Sequence, residues 1–171
     1  KVNKSVMIFA AIVIGFKSNL VIVDGSVDDV EYRRIFQESK ICDMLNKKYG
    51  DGRFYYMQDG APAHFSESSR IFLQKNCSFL KFWPPNSPDL NPIEHLWGAL
   101  KKILKGKNFE TKESLINELQ RIWELFPQDA IDNLCSSFQS RLRTLINVNG
   151  ESISDLLRKQ LEFQSPIVLS S

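Results

Sequence analysis

The chain has 171 residues, 43% of them hydrophobic, and a formal net charge of +2. That is enough apolar material for one domain with a substantial core, and twelve Phe with three Trp exclude a disordered or low-complexity chain. A charge so near zero neither demands nor excludes a polyanionic partner. The three cysteines, Cys42, Cys77 and Cys135, are odd in number and far apart, with no metal-ligand spacing. They read as reduced structural thiols of a cytosolic or nuclear protein, and they argue against secretion.

The chain opens at Lys1 rather than Met and enters an apolar run over 5–14 almost at once. Lysines ahead of such a run resemble a signal peptide, but Gly15–Asn19 is a turn and not a small-residue cleavage site, and the run is too short to span a bilayer. The run reads as a buried strand, with a second strand over 19–23 beside it and further sequence expected upstream of Lys1. Ser26 with Asp29 three residues on reads as a helix start, giving a helix to about Lys48 with Val30, Ile35, Ile41, Met44 and Leu45 on its apolar face. Gly50 and Gly52 end it, and Phe54–Met57 is the next strand. Ser66–Lys75 reads as a helix with Ile71 and Phe72 inward, followed by a strand over 79–83.

The stretch 84–92 holds Pro84, Pro85, Pro88 and Pro92, which remove backbone donors and bias their neighbours to extended conformations. Pro92 suits a first helical turn with Asn91 as cap, so Glu94 falls near a helix N-terminus. That helix runs to about Lys105. Helices over 111–125, with Leu115, Leu119, Ile122 and Trp123 as the stripe, and over about 127–147 follow. In the last segment the first part has helical character, and 166–171 is expected to fray. Strands, then interleaved strands and helices, then helices alone make an α/β layout with a helical C-terminal third. The expected division is a domain over 1–154 and a tail over 155–171.

Two carboxylates stand out in this layout. Asp59 follows a buried strand, Glu94 opens a helix, and 34 residues separate them. Carboxylate oxygens so placed suit a hard divalent cation such as Mg²⁺ or Mn²⁺, which can activate water and stabilise phosphoryl-transfer charge. Such a site usually needs a third carboxylate. The bland readings are a turn residue before Gly60 for Asp59 and a dipole-favoured first-turn residue for Glu94.

The surrounding strings decide between these readings. Gln58-Asp59-Gly60-Ala61-Pro62-Ala63-His64 and Trp83-Pro84-Pro85-Asn86-Ser87-Pro88-Asp89-Leu90-Asn91-Pro92-Ile93-Glu94-His95-Leu96-Trp97 closely resemble the catalytic domain of mariner-superfamily transposases. The 34-residue gap matches the subgroup whose third catalytic residue is Glu. Lys4–Phe9 resembles the family's second core strand, and Arg141–Ile146 with Gly150 its C-terminal helix, so the resemblance covers residues 4 to about 154. It implies an RNase H-like fold, a mixed five-stranded sheet flanked by helices. It also implies two Mg²⁺ or Mn²⁺ ions and DNA cleavage and strand transfer at transposon ends, with Asp59 and Glu94 as the second and third catalytic carboxylates and metal ligands.

The family's first catalytic Asp lies on a strand upstream of Val6–Ile12 and its helix-turn-helix region lies further upstream; neither pattern occurs in this chain. Asp24, Asp28 and Asp29 follow the second strand pattern and are not assigned to that role. The absent strand belongs in the middle of the sheet, so its place is expected to be taken by rearrangement, by another chain or by homodimerisation. The leading expectation is a transposase catalytic domain that is inactive alone. The alternative is a domesticated or degenerate fragment that binds DNA or protein without catalysis, and a weaker one is another RNase H-like nuclease. A nuclear location is expected in a eukaryotic cell and a cytoplasmic one otherwise.

Around the two carboxylates, Asp89 reads as a turn former, His64 as a residue contacting backbone or DNA near the site, and His95 as a surface residue about 100° around the helix from Glu94. Lys101, Lys102, Lys105 and Lys107 suit a helix C-terminus on their own. With Arg141 and Arg143 they are also candidates for DNA phosphate contact. Trp83, Trp97 and Trp123 read as core.

Overall fold

The computed structural model describes residues 5–50, 54–80, 90–147 and 167–170. The first apolar run forms β1 (Met7–Phe9) and β2 (Ala11–Val13), with Ala10 between them. Ile8, Ala10 and Ile12 belong to one core cluster, and Phe9, Ala11 and Val13 to the other. The alternation passes through Ala10 unbroken, as in an interior strand covered on both faces. Gly15, at φ 76°, turns the chain into β3 (Phe16–Lys17), which pairs antiparallel with β2. β4 (Val21–Val23) returns antiparallel to β1, with Met7 opposite Val23 and Phe9 opposite Val21. The first expected strand is therefore present in two pieces and the second as β4, while β3 falls within the segment expected to be only the Gly15–Asn19 turn.

The helix expected over 26–48 is two helices, α1 (Asp29–Glu38) and α2 (Ile41–Tyr49). Lys40 between them takes a left-handed φ of 53°, which a continuous helix cannot contain. Asp28, not Ser26, caps α1, its carboxylate accepting the Glu31 amide at 2.8 Å. Val30 and Met44 are exposed, against expectation. Val30 lies five positions from Ile35, about 140° around the helix, and the buried stripe is Tyr32, Ile35 and Phe36.

β5 (Tyr55–Met57) leads to the one-turn α3 (Pro62–Phe65) and to α4 (Glu67–Asn76), which is capped by Ser66. Ser69 and Leu73 form the buried face of α4, four residues apart, and Ile71 between them is exposed rather than inward. β6 (Ser78–Phe79) pairs parallel with β5; the rest of the strand expected over 79–83, with Trp83 and the proline-rich 84–89, lies outside the described residues. α5 (Pro92–Leu104), α6 (Lys112–Leu125) and α7 (Gln128–Asn147) follow close to the expected bounds. Thr111 and Ser114 cap α6 reciprocally.

At the other end of α6, Lys17 Nζ donates to the carbonyls of Trp123, Glu124 and Phe126 at 2.5, 3.1 and 2.9 Å. The cation satisfies acceptors that the helix leaves open and sits at the negative end of its dipole.

The segment expected to fray contains β7 (Ile167–Ser170), at the centre of the sheet. The strand order is β3-β2-β7-β5-β6. β7 runs antiparallel to β2, with Ala11 opposite Ser170, and parallel to β5, with Tyr55, Tyr56 and Met57 opposite Ile167, Val168 and Leu169. The central place, expected to be taken by rearrangement, by another chain or by homodimerisation, is held between β2 and β5 by this chain's own C-terminal segment. Neighbours on both sides are fully buried, Ile12 at 0% and Tyr56 at 0% exposure. Their inward backbone groups need a partner strand, and the Ile167–Ser170 backbone supplies one.

The sheet separates two apolar layers. On one side Phe9, Val23, Tyr32, Ile35, Leu45 and Tyr56 pack together under α1, α2 and α4. On the other Ile12, Met57, Ile93, Leu96, Trp97 and Trp123 pack under α5, α6 and α7. Each fully buried Leu or Ile contributes about 2 kcal/mol. Among the described residues no helix is long and apolar enough to cross a membrane.

Candidate active site at the Asp59 and Glu94 carboxylates

β5 carries the chain out of the buried sheet and releases it at Gln58, whose side chain stays inside at 2% exposure. Its Oε1 accepts the Tyr32 hydroxyl at 2.5 Å, and its Nε2 donates to the His64 carbonyl at 3.0 Å. A buried amide so used fixes both ends of the loop that carries Asp59. Asp59 Oδ1 accepts the Ala61 amide at 3.1 Å in an Asx turn, and Pro62 then starts α3, which brings His64 back to the loop.

His64 is buried and its ring packs on Tyr32 with centroids 4.3 Å apart. Its Nδ1 lies 2.6 Å from Asp59 Oδ1, close but without hydrogen-bond alignment, and has no other partner. Burial pushes the Asp59 carboxyl upward; His64 and the Ala61 amide outweigh it and hold the acid below its ordinary value.

Glu94 arrives from the other layer. Asn91 caps α5, accepting from the Ile93 amide through its side chain and from the Glu94 amide through its carbonyl at 3.0 Å. Ile93, Leu96, Trp97 and Leu100 form the stripe that packs the helix on Met57 and Ile12. The Trp97 ring stacks on Trp123 at 5.8 Å, and the Trp123 indole donates to the Ser18 carbonyl at 2.9 Å. With this face fixed, Glu94 stands beside the stripe, half-buried, within electrostatic reach of Asp59. Burial raises the Glu94 carboxyl above its ordinary value, and the negative charge of Asp59 raises it further, against smaller opposing effects of Lys101 and His95.

Asp59 at a strand end and Glu94 at a helix start thus lie within electrostatic reach of each other. Two such oxygen donors that repel each other fit a divalent cation, which relieves the repulsion. No group of three or more His, Cys, Asp and Glu among the described residues is arranged to hold a metal ion.

The other selected residues fall elsewhere. Asp24 pairs with Lys112, Asp28 caps α1, and Asp29 bonds Arg33 and Ser68, so none of them belongs to the site. Asp89 lies outside the described residues. His95 is exposed, as expected, and its Nε2 meets Arg141 Nη1 at 2.6 Å, tying α7 to α5. Arg141 also donates to Ser137 at 2.5 Å. Lys101, Lys102, Lys105 and Arg143 are exposed, and Lys107 pairs with Glu118. Tyr32 was missed in the sequence; its three- and four-residue spacing from Ile35 and Phe36 is a signal that could have placed it in the core, but that pattern carries nothing of its bond to Gln58.

Residues 1–116 match the family of DDE superfamily endonucleases. The chain is 34% identical over 128 residues to the Tc1 transposase of Caenorhabditis elegans, covering 75% of this chain and 46% of that protein. To the Tc3 transposase of the same organism it is 30% identical over 152 residues, covering 88% and 46%. The chain thus spans about half the length of these curated relatives. Among solved structures, a Mos1 transposase paired-end complex with left transposon end superposes with TM-score 0.75 at 18% identity, over 90% of this chain and 46% of that one. The Mos1 mariner transposase catalytic domain gives TM-score 0.70 at 17% identity, over 82% and 73%. A further Mos1 paired-end complex, with Mn, gives TM-score 0.66 at 20% identity, over 81% and 41%. This chain belongs to the DDE superfamily endonucleases, with Tc1 and Tc3 transposases among its relatives and the fold of a mariner-type transposase catalytic domain.

Proposed function

We propose that this domain cuts and joins DNA strands at transposon ends with Mg²⁺ or Mn²⁺ held by Asp59 and Glu94. The observation that carries the reading is the convergence of these two carboxylates, close enough that the charge of one raises the pKa of the other. A divalent cation, when bound, supplies positive charge to the attacking and leaving oxygens of an in-line displacement. Asp59 is held ready in its charged form by His64 and the Ala61 amide. Glu94 gives up its proton more reluctantly and is the residue whose charge cation binding completes. Gln58, Tyr32 and Asn91 keep the strand end and the helix start in place, the positioning that phosphoryl transfer asks of a protein.

The exposed Lys101, Lys102 and Lys105 lie at the far end of α5, Lys105 roughly 16 Å from Glu94 along the helix axis. They are placed to meet phosphates a few nucleotides from the cut, and Arg143 adds to the positive charge. Arg141, engaged with His95 and Ser137, acts by holding α7 on α5. DNA-bound relatives such as the Mos1 paired-end complex support a DNA partner. Two copies acting on two transposon ends, in the nucleus of a eukaryotic cell, complete the proposal.

A second reading, a domesticated or degenerate module that binds DNA or protein without cutting, is favoured by the lack of a third ligand among the described residues. Plasmid nicking with Mn²⁺ separates the two. The catalytic reading expects nicking, weak for this chain by itself, that disappears in Asp59→Ala and Glu94→Gln. Salt-sensitive DNA binding with no nicking at millimolar Mn²⁺, unchanged by either substitution, establishes the second.

A further inference from the structure

We propose that Cys42 and Cys77 are an oxidisable pair, closed to a disulfide by a hydroperoxide, and that the bond staples the segment carrying Asp59. Cys42 occupies the first turn of α2, and Cys77 ends α4 as its C-cap. Both are buried free thiols in the core layer under α1, α2 and α4. The two side chains meet there: hydrogen bonding to Cys42, and then burial, push the Cys77 thiol well above its ordinary value. The third cysteine, Cys135, lies in the opposite layer, across the sheet.

Access separates this pair from ordinary core thiols. A cavity of about 270 Å³ reaches Cys42 and is also walled by Phe36, Lys40, Phe72 and Asn76, the residue immediately before Cys77. Hydrogen peroxide, little larger than the roughly 30 Å³ of a water, fits this space. Cys42 lies where the positive end of α2 favours a thiolate, and Lys40 sets a positive charge on the cavity wall against the negative one of Asp43. Cys42 is therefore the attacking sulfur, and Cys77, held protonated, is the resolving thiol.

The Cys42 thiolate attacks one peroxide oxygen. The O–O bond breaks as an S–O bond forms, and the departing hydroxide takes up the proton that Cys42 released, leaving as water. One electron pair thus oxidises the sulfur and reduces the peroxide. The Cys77 sulfur then attacks the Cys42 sulfenic acid; the S–O bond breaks as the S–S bond forms, and the Cys77 proton leaves with the hydroxyl group as a second water. The closed ring encloses β5, the Asp59 loop, α3 and α4. It also borders the anchor of that loop: burial raises the Tyr32 hydroxyl, the Tyr56 bond lowers it, and charge on Cys77, Asp59 or Cys42 raises it further. Oxidation thus restrains the unfolded chain and the packing behind Gln58 together. The reaction involves no DNA, so its outcome is independent of the catalytic reading.

The test treats the full folded chain with millimolar hydrogen peroxide at neutral pH, and maps its thiols by maleimide labelling and mass spectrometry. A peptide cross-linked through Cys42 and Cys77 is expected, with two of the three thiols lost and both restored by dithiothreitol. In Cys77→Ser the sulfenic acid has no partner, and dimedone is expected to trap it at Cys42. The urea midpoint of the oxidised chain should rise above those of the reduced chain and of peroxide-treated Cys42→Ser. Three intact thiols after hours in peroxide overturn the proposal, as does oxidation confined to Cys135 or a cross-link that joins two chains. A Cys42–Cys77 bond that forms only in the urea-unfolded chain overturns it too, because the fold would then keep the two sulfurs apart.

Discussion

Met57 on β5 stands opposite Leu169 on β7 in a parallel ladder, so a residue near the C-terminal end of this sequence sits beside the strand that delivers Asp59. The sheet order β3-β2-β7-β5-β6 gives β7 one antiparallel and one parallel neighbour. The site is thus built on a sheet whose central member comes last in the sequence, and its geometry depends on that strand.

Removing β7 therefore costs stability and not only order at the chain end. Leu169→Pro takes away a ladder donor in a central strand and is expected to cost about 3 kcal/mol or more. Deletion of 167–171 is expected to cost at least as much. Urea unfolding at neutral pH measures both, and a midpoint unchanged by the deletion contradicts the central placement.

Metal affinity should rise with pH across a window above the ordinary glutamate range. Burial, and then the charge of Asp59, raise the Glu94 pKa, so a cation arriving at lower pH must displace a proton. The sign for folding follows from the same shift. A carboxyl raised in the folded state leaves stability whole below its unfolded pKa and costs stability as pH climbs through the folded pKa. Glu94→Gln is expected to remove that decline while weakening Mn²⁺ binding at least tenfold. Asp59→Asn should move the Glu94 titration back down. Carboxyl NMR titration with calorimetry of Mn²⁺ binding checks all three, and a Glu94 titration unmoved by Asp59→Asn counts against the coupling.

Much of this site was legible in the sequence because the signals were local. Asn91 and Pro92 specify a helix start by side-chain acceptor and fixed φ, and those rules placed Glu94 correctly. The buried Phe54–Met57 run placed Asp59 at a strand end for the same kind of reason. The failures came where a short window holds two answers. Val30 and Ile71 are apolar, yet their angular offset from Ile35 and Leu73 turns them to solvent. Lys40 breaks a helix with no Gly or Pro to announce it. Ile167–Ser170 is a short run whose role is set by pairing with Ala11–Ile12 and Tyr55–Met57, far away in sequence, which periodicity cannot report. The Tyr32–Gln58 bond is of the same non-local kind.

That bond supports a third prediction. Tyr32→Phe keeps the ring against His64 and Phe36 but leaves Gln58 Oε1 buried without the hydroxyl. Losing one partner of a buried pair costs about 1–3 kcal/mol. The loop anchored by Gln58 should loosen with it, and thermal melting together with hydrogen exchange at Ala61 and His64 reads both effects. Full protection of those amides in the variant would show that Gln58 holds the loop by itself.

Lys17 offers the last prediction, because one cation closes the end of α6 across a distance of more than a hundred residues in sequence. Burial lowers its pKa, and Glu124 partly restores it, so the ammonium sits where only its acceptors justify the charge. Those acceptors are the Trp123, Glu124 and Phe126 carbonyls, and the ammonium also lies 5.7 Å from the Trp123 ring centre. Lys17→Met keeps the aliphatic stem packed and removes the charge, which isolates the cap from the burial. These bonds are part-buried or exposed, so solvent weakens them, and the open carbonyls of the variant should lower stability by about 1 kcal/mol. Trp123 stacks on Trp97 of α5, so its near-ultraviolet dichroism should change as well. A variant as stable as the parent, with an unchanged tryptophan signal, would place the closure of α6 in Phe126 and the turn rather than in Lys17.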